Sequence, residues 1–407
     1  MSKQPLSGIR VVDLTIYAAG PGAGRMLADW GADVIKVESF RGDPMRDFGL
    51  TMNCPSTPEE NPCWEASNAN KRSLALDLKN PGGMAIMDRL LAGADVFITS
   101  NRTDALERLG LDYETMTTKH PHIVWGQING FGDLGPLAQA PGFDSVAFWA
   151  RAGCMIDGTE RNTAPMVTPI AFGDNTTGCS LAAGVCAALV EKLRTGKGSK
   201  VQVSLYSQAI WCGGYMIQST QYGRDKYPKS RTQDVSPLVS SYRGSDGEWF
   251  FITILEHERY WPILCRQVID RPDLAEDPRF ATGKAASEHR PELIAILDEA
   301  FGRYTCAECV AKLSAADIAH NKICHFADVH QDPQAIENYY VYELEHRNGH
   351  KTMTVATPVL FGEPSRPTHQ KAPLLGEHTE EILKELGYTE GETEHLLSDR
   401  TVLCWET

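Results

Sequence analysis

The segment Pro169-Ile-Ala-Phe-Gly-Asp174-Asn-Thr-Thr-Gly178 sets a single carboxylate at the mouth of a helix expected from Asn175 to about Leu193. A glycine before Asp174, and Gly178 one turn further on, leave space around that carboxylate. A helix N-terminus carries unpaired N–H groups and a partial positive charge, which are expected to keep an aspartate ionised and to stabilise developing negative charge. A carboxylate held this way can act as a nucleophile toward an acyl group. Aspartate at such a place also serves as a plain helix cap, and the segment alone leaves both roles open.

Two basic groups flank expected strands, Asn70-Lys71-Arg72 and Asn101-Arg102 with Arg108. Nucleotides bind at such strand ends in α/β proteins, and arginine suits bidentate contact with phosphate. Solvated surface charge is the alternative reading of the same residues. The turn Gly20-Pro-Gly-Ala-Gly24 follows a strand but is out of register with a dinucleotide loop, although Glu38 ends the second strand. There is no Walker-type loop, so activation of an acid by ATP lacks its usual support. The histidines show no metal-ligand spacing and none lies near Asp174, so no metal is expected. Cys306-Ala-Glu-Cys309 is a single CxxC on a helical stretch, read as structural, and eleven scattered cysteines read as reduced thiols.

The elements that must position these residues are those of an α/β protein. At 407 residues, with 42% hydrophobic and 23% charged, the chain is expected to form two globular domains. Strands at Gly8–Leu14 and Ala32–Glu38 enclose a helix reaching Trp30, the start of a doubly wound, largely parallel sheet. Residues 39–70 read as a long loop. Strands near Ser73–Leu76, Asp95–Ile98, His122–Ile128 and Lys200–Ser204 alternate with helices, including one over Tyr206–Gln221. Antiparallel strands Val235–Tyr242 and Glu248–Ile254, then amphipathic helices, mark a smaller α+β domain inserted into the larger one. The expected boundaries are 1–225 and 331–407 for the large domain and 226–330 for the small one. The tail, from Pro373 to Gly387, reads as a capped amphipathic helix. A net charge of −14 argues against nucleic acid or an anionic membrane as partner. The first residues lack a signal-peptide pattern and no run approaches the length of a membrane span, so a cytoplasmic location is expected.

The order of motifs resembles the family III CoA-transferases, the CaiB/BaiF family. It is carried by Leu6-Ser-Gly-Ile-Arg-Val-Val-Asp-Leu14, Ala19-Gly-Pro21, Gly31-Ala-Asp-Val-Ile-Lys-Val-Glu38, Gly42-Asp-Pro44 and Asn70-Lys-Arg-Ser-Leu-Ala-Leu-Asp77. Ala105–Gly110, Gly130-Phe-Gly132, Gly173-Asp174, Thr195-Gly-Lys-Gly198 and Pro373-Leu-Leu-Gly376 complete it. The resemblance implies a homodimer of chains interlinked like rings, with no permanently bound cofactor and a coenzyme A thioester as substrate. It implies that Asp174 attacks the thioester to give a mixed anhydride and then an aspartyl-CoA thioester, from which a free acid takes the CoA. It also implies adenosine and phosphate contacts from Asn70, Lys71, Arg72 and Arg108, an acyl chain near Ala18 and Ala19, and an acidic active-site residue at Asp144.

Departures from the family narrow the reading. Thr253-Ile-Leu-Glu-His-Glu258 stands where oxalate-exchanging members carry a glycine run that covers the aspartate, and Ala18 replaces a glutamine. Ser100-Asn-Arg-Thr103 and Pro141-Gly-Phe143-Asp144 are most similar to the subgroup acting on 2-hydroxy acids, such as phenyllactate and 2-hydroxyisocaproate. The expected partners are therefore an enoyl- or aryl-acrylyl-CoA and an (R)-2-hydroxy acid, with Phe143 in the substrate pocket. The alternatives are a transferase for another acid, such as a dicarboxylate or carnitine, and an α-methylacyl-CoA racemase. Racemases of this fold carry histidine where Phe143 stands, and racemisation needs a base on each face of the carbon.

Overall fold

The structure, a computed structural model, describes residues 4–223 and 227–405. Its contacts divide the chain into two units: Met1–Cys154 with Val167–Gln218 and His330–Thr407, and Met155–Met166 with Ser219–Val329. The expected boundary at 225/226 falls within residues 224–226, which lie outside the described residues, and the contacts divide the chain after Gln218. The division differs from the sequence expectation in assigning Met155–Met166 to the second unit.

The first unit is built on a seven-stranded sheet of β1 (Arg10–Leu14), β2 (Asp33–Glu38), β3 (Arg72–Leu76), β4 (Val96–Thr99), β5 (Val124–Asn129), β6 (Lys200–Ser204) and β12 (Val402–Leu403). Its order is β12-β3-β2-β1-β4-β5-β6, parallel throughout except for β12 on β3. The central strands β1, β2 and β4 are Val- and Ile-rich runs buried on both faces, as a sheet covered by helices on each side requires, whereas the edge strand β6 alternates exposed and half-buried residues. Val12, Ile35 and Leu74 pack on one face with the helices Pro81–Ala92 and Thr379–Glu385. Val11, Val34 and Val96 pack on the other with Ala19–Asp29 and Phe172–Thr195. Strand order reverses between β1 and β4, and the carboxyl ends of these strands form the crevice where such sheets take ligands. A two-stranded antiparallel hairpin, β10 (Val341–Glu345) and β11 (Lys351–Val355), completes this unit.

The second unit holds an antiparallel sheet, β7 (Val239–Arg243), β8 (Trp249–Thr253) and β9 (Ala319–Lys322), and helices around a core that includes Trp261, Phe250 and Phe301. Cys306 and Cys309 are buried in that core, and all eleven cysteines are free thiols.

Several expectations are corrected. Residues 39–70 are not one loop, since Met45–Phe48 and Pro62–Asn68 are helical, the latter capped by Asn61 and opened by Pro62. The Tyr206–Gln221 helix breaks at Gly213 into Leu205–Cys212 and Gly214–Thr220. The tail helix is only Thr379–Glu385 and has no side-chain cap, while Thr389 and Glu392 form a capping box on a second helix, Glu390–Ser398. Finally, Phe172–Thr195 is long and apolar enough to cross a bilayer by length and composition. Its buried residues instead pack into the core of the sheet unit.

Candidate active site

Asp174 is the third residue of the helix Phe172–Thr195, whose sequence of small residues lets it lie close to its neighbour. At Gly178 a Cβ would come within 2.7 Å of the Ala19 carbonyl oxygen, so only glycine permits this approach of the two helix starts. At Gly173 a Cβ would collide with Asp144 Oδ1 and the Phe148 ring, so glycine lets the second carboxylate pack against the backbone beside Asp174. Asp174 does not cap its helix. The cap position is Ala171, in the left-handed region at φ 59°, and no side chain caps the helix.

Burial first, and then Asp144, push the Asp174 carboxyl up to about 7. The expectation that the helix N-terminus keeps this group firmly ionised is therefore corrected: desolvation and a like charge outweigh the N-terminal field. Asp144 begins the π-helical segment Asp144–Ala150 and is itself raised, chiefly by burial. The amides of Gly173 and Phe172 and the Trp149 indole offset part of that rise. These donors approach at poor angles or distances, so Asp144 Oδ1 and Trp149 Nε1 are buried without a well-formed hydrogen bond.

Two cavities meet these carboxylates. The larger, a cleft of about 460 Å³, lies at the β1/β4 crevice and is lined by Ala18, Ala19, Asn101, Arg102, Arg108 and Asp174 among others. The smaller, about 240 Å³, is walled by Met45, Phe48, Phe143, Asp144, Ile170 and Asp174 among others. Tyr17, Ala18, Phe143 and Asp174 border both.

The turn that carries Tyr17 and Ala18 is held by buried charges. Lys71 Nζ donates to Asp13 Oδ2 at 2.8 Å, to the Pro21 carbonyl at 2.8 Å and to Asn68 at 2.9 Å. Asp13 Oδ1 accepts from the Thr15 hydroxyl at 2.5 Å. Lys36 Nζ donates to the Thr15 carbonyl at 2.8 Å and pairs with Asp43 at 2.9 Å. Asp43 Oδ1 in turn accepts from the Tyr17 amide at 3.0 Å, and Ser100 Oγ from the Ile16 amide at 2.9 Å. Tyr17 itself has φ 64°, a strained conformation for a bulky residue that this network sustains. Burial pulls the Lys71 ammonium down to about 8, with Lys36 adding to the effect despite Asp13 alongside.

The structure brings Asp174, Ala18, Ala19, Arg102, Arg108, Phe143 and Asp144 together around the two cavities. Asn70, Lys71 and Arg72 line neither. Lys71 is spent inside the fold, Asn70 bonds Asp29 and the Thr368 carbonyl, and Arg72 pairs with Asp33, Glu381 and Glu385. A buried or paired cation has no donors left for a phosphate, so within this chain these three residues serve the fold. Sequence reasoning missed Tyr17, Met45 and Phe48. Tyr17 adjoins Ala18, whereas Met45 and Phe48 fall in the segment read as a loop and carried no signal.

The sequence pattern of CoA-transferase family III matches residues 6–379. The chain belongs to that family. This CoA-transferase is 37% identical over 397 residues to the (R)-2-hydroxy-4-methylpentanoate CoA-transferase of Clostridioides difficile, covering 98% of this chain and 99% of that one. It is 36% identical over 403 residues to the cinnamoyl-CoA:phenyllactate CoA-transferase of Clostridium sporogenes, covering 98% and 97%. A solved CAIB/BAIF family protein from Brucella suis superposes on 95% of the transferase and 100% of its own chain, with a TM-score of 0.80 at 29% identity.

Proposed function

We propose that this transferase moves CoA from an enoyl- or aryl-acrylyl-CoA to an (R)-2-hydroxy acid, with Asp174 as the covalent relay. The observation that carries the reading is that Asp174 borders both an arginine-lined cleft and a smaller, more apolar cavity. The cleft suits the phosphates and pantetheine arm of CoA, with Arg102 and Arg108 at its rim. The smaller cavity suits a branched or aromatic acyl chain against Met45, Phe48 and Phe143. The substrates named for the Clostridioides difficile and Clostridium sporogenes relatives support the same choice.

The chemistry follows from one nucleophile. An Asp174 oxygen attacks the thioester carbonyl, the C–S bond breaks, and CoA leaves as thiolate, giving an acyl-aspartyl anhydride. The thiolate attacks the aspartyl carbonyl, and the donor acid leaves with the oxygen that had bridged the two acyl groups. The acceptor carboxylate then attacks the aspartyl-CoA thioester, and the released thiolate attacks the acceptor side of the new anhydride. Thioester energy is conserved at each step, so no ATP is consumed. A raised carboxyl is a stronger nucleophile once ionised, and burial beside Asp144 provides that rise. The family's interlinked dimer is part of this proposal.

Incubation with the enoyl-CoA alone tests the reading. A thioester mass on the peptide holding Asp174, discharged by a 2-hydroxy acid with formation of its CoA ester, is expected. Discharge by oxalate or a dicarboxylate alone would assign a different substrate class.

A further inference from the structure

Resting on the acid-pocket reading, we infer that Asp144 recognises the C2 hydroxyl of the acceptor acid. The smaller cavity is mainly apolar, and its polar side chains are not equivalent. Asp174 is committed to the reacting carboxyl. Ser145 is exposed, and Tyr17 and Thr168 are half-buried, so water can satisfy all three. Asp144 is only 9% exposed yet lines the cavity, and the Gly173 and Phe172 amides and the Trp149 indole approach its carboxylate without a well-formed hydrogen bond to Oδ1. A buried carboxylate whose hydrogen bonds are incomplete is costly, and a ligand that supplies one lowers that cost.

Position selects which ligand group can do so. Asp144 packs against Gly173, the residue next to Asp174, and the two carboxylates feel each other's charge. When the acceptor carboxyl meets the Asp174 acyl group, the atom one bond away is C2. A hydroxyl on C2 therefore lies beside Asp144, where it donates to a carboxylate oxygen or accepts from the protonated acid. The apolar walls offer nothing comparable to a polar group further along the chain.

A buried group that hydrogen-bonds a substrate hydroxyl rejects the analogue lacking it, because the site's own group is then left unpaired. The experiment compares kcat/KM for 2-hydroxy-4-methylpentanoate and for 4-methylpentanoate, using full-length enzyme and one enoyl-CoA donor. The wild type is expected to favour the hydroxy acid. In Asp144→Ala the ratio of the two values should fall about 10- to 100-fold, the effect of one buried unpaired group. Asp144→Asn keeps the shape and one acceptor oxygen, so it should fold normally and retain an intermediate ratio. A ratio within threefold of wild type in Asp144→Ala, whether both acids are used well or fall together, overturns the role of Asp144 and leaves the substrate class standing. A wild type that uses neither acid overturns the substrate class and this role with it.

Discussion

The rings of Tyr17 and Phe143 meet edge to face, with centroids 5.7 Å apart and planes at 83°, and both border the two cavities that share Asp174. Tyr17 is fixed from behind by the Asp43 and Lys36 network, whereas Phe143 is 55% exposed and held mainly by this contact and its own turn. The pair stands between the larger cleft and the smaller cavity. Phe143→Ala should raise KM for the acceptor acid about fivefold with a smaller change in kcat, since an aromatic pair contributes about 1 kcal/mol beyond area burial. Steady-state rates at saturating acyl-CoA check this, and a fall confined to kcat would place the ring at the reacting atoms instead.

Asp174→Ala should lose at least about 1,000-fold in exchange rate, because the proposed acyl relay runs through its carboxylate. It should also fold normally. Asp174 makes no capping hydrogen bond, so even the roughly 1 kcal/mol of a lost cap does not apply. Circular dichroism and peptide mass spectrometry after acyl-CoA treatment are the checks, and turnover close to wild type would remove Asp174 from the mechanism.

The raised Asp174 carboxyl makes two pH predictions. Its nucleophilic form is the ionised one, so the acylation rate should fall about tenfold per pH unit below about 7 and level off above it. Asp144→Asn removes the like charge and should move that limb to lower pH, though burial keeps it above the ordinary 3.8. Stability runs the other way. A carboxyl that holds its proton more tightly when folded favours the folded state at low pH, and that contribution is lost as pH rises toward 7. Asp174→Asn carries no such penalty, so its melting temperature relative to wild type should climb between about pH 4 and 7 and stay constant above. A difference that is flat with pH would mean the carboxyl titrates normally.

Arg108 and Arg72 should separate cleanly. Arg108 lines the cleft and spends one nitrogen on the exposed Asp104 at 2.9 Å. Arg108→Ala should raise KM for acyl-CoA about 10-fold or more, the effect of losing a charge-assisted phosphate contact. Arg72 joins β3 to Asp33 and to Glu381 and Glu385 of the tail helix, so Arg72→Ala should lower the melting temperature by a few degrees, roughly 1–3 kcal/mol. Its KM for acyl-CoA should barely move. The reverse pattern would return Arg72 to the CoA site.

The sequence by itself determined the sheet unit and the family and singled out Asp174, because each is written in local order. β-branched runs at regular spacing make strands, Gly173-Asp174-Asn-Thr-Thr-Gly178 opens a helix, and Ala18-Ala19 follows a strand that must end at the crevice. Only the tertiary structure decided which charges line the two cavities. Asn70-Lys71-Arg72 and Asn101-Arg102 look alike in sequence, yet Lys71 meets Asp13 across 58 positions and Arg72 meets Glu385 across 313, and both are consumed there. The state of Asp174 was hidden for the same reason. A helix N-terminus predicts an easily ionised acid, but Asp144, thirty residues away, and burial between packed helices raise it instead. Burial and partners depend on contacts distant in the chain, and these are set by the packing of the sheet and its helices rather than by any local pattern.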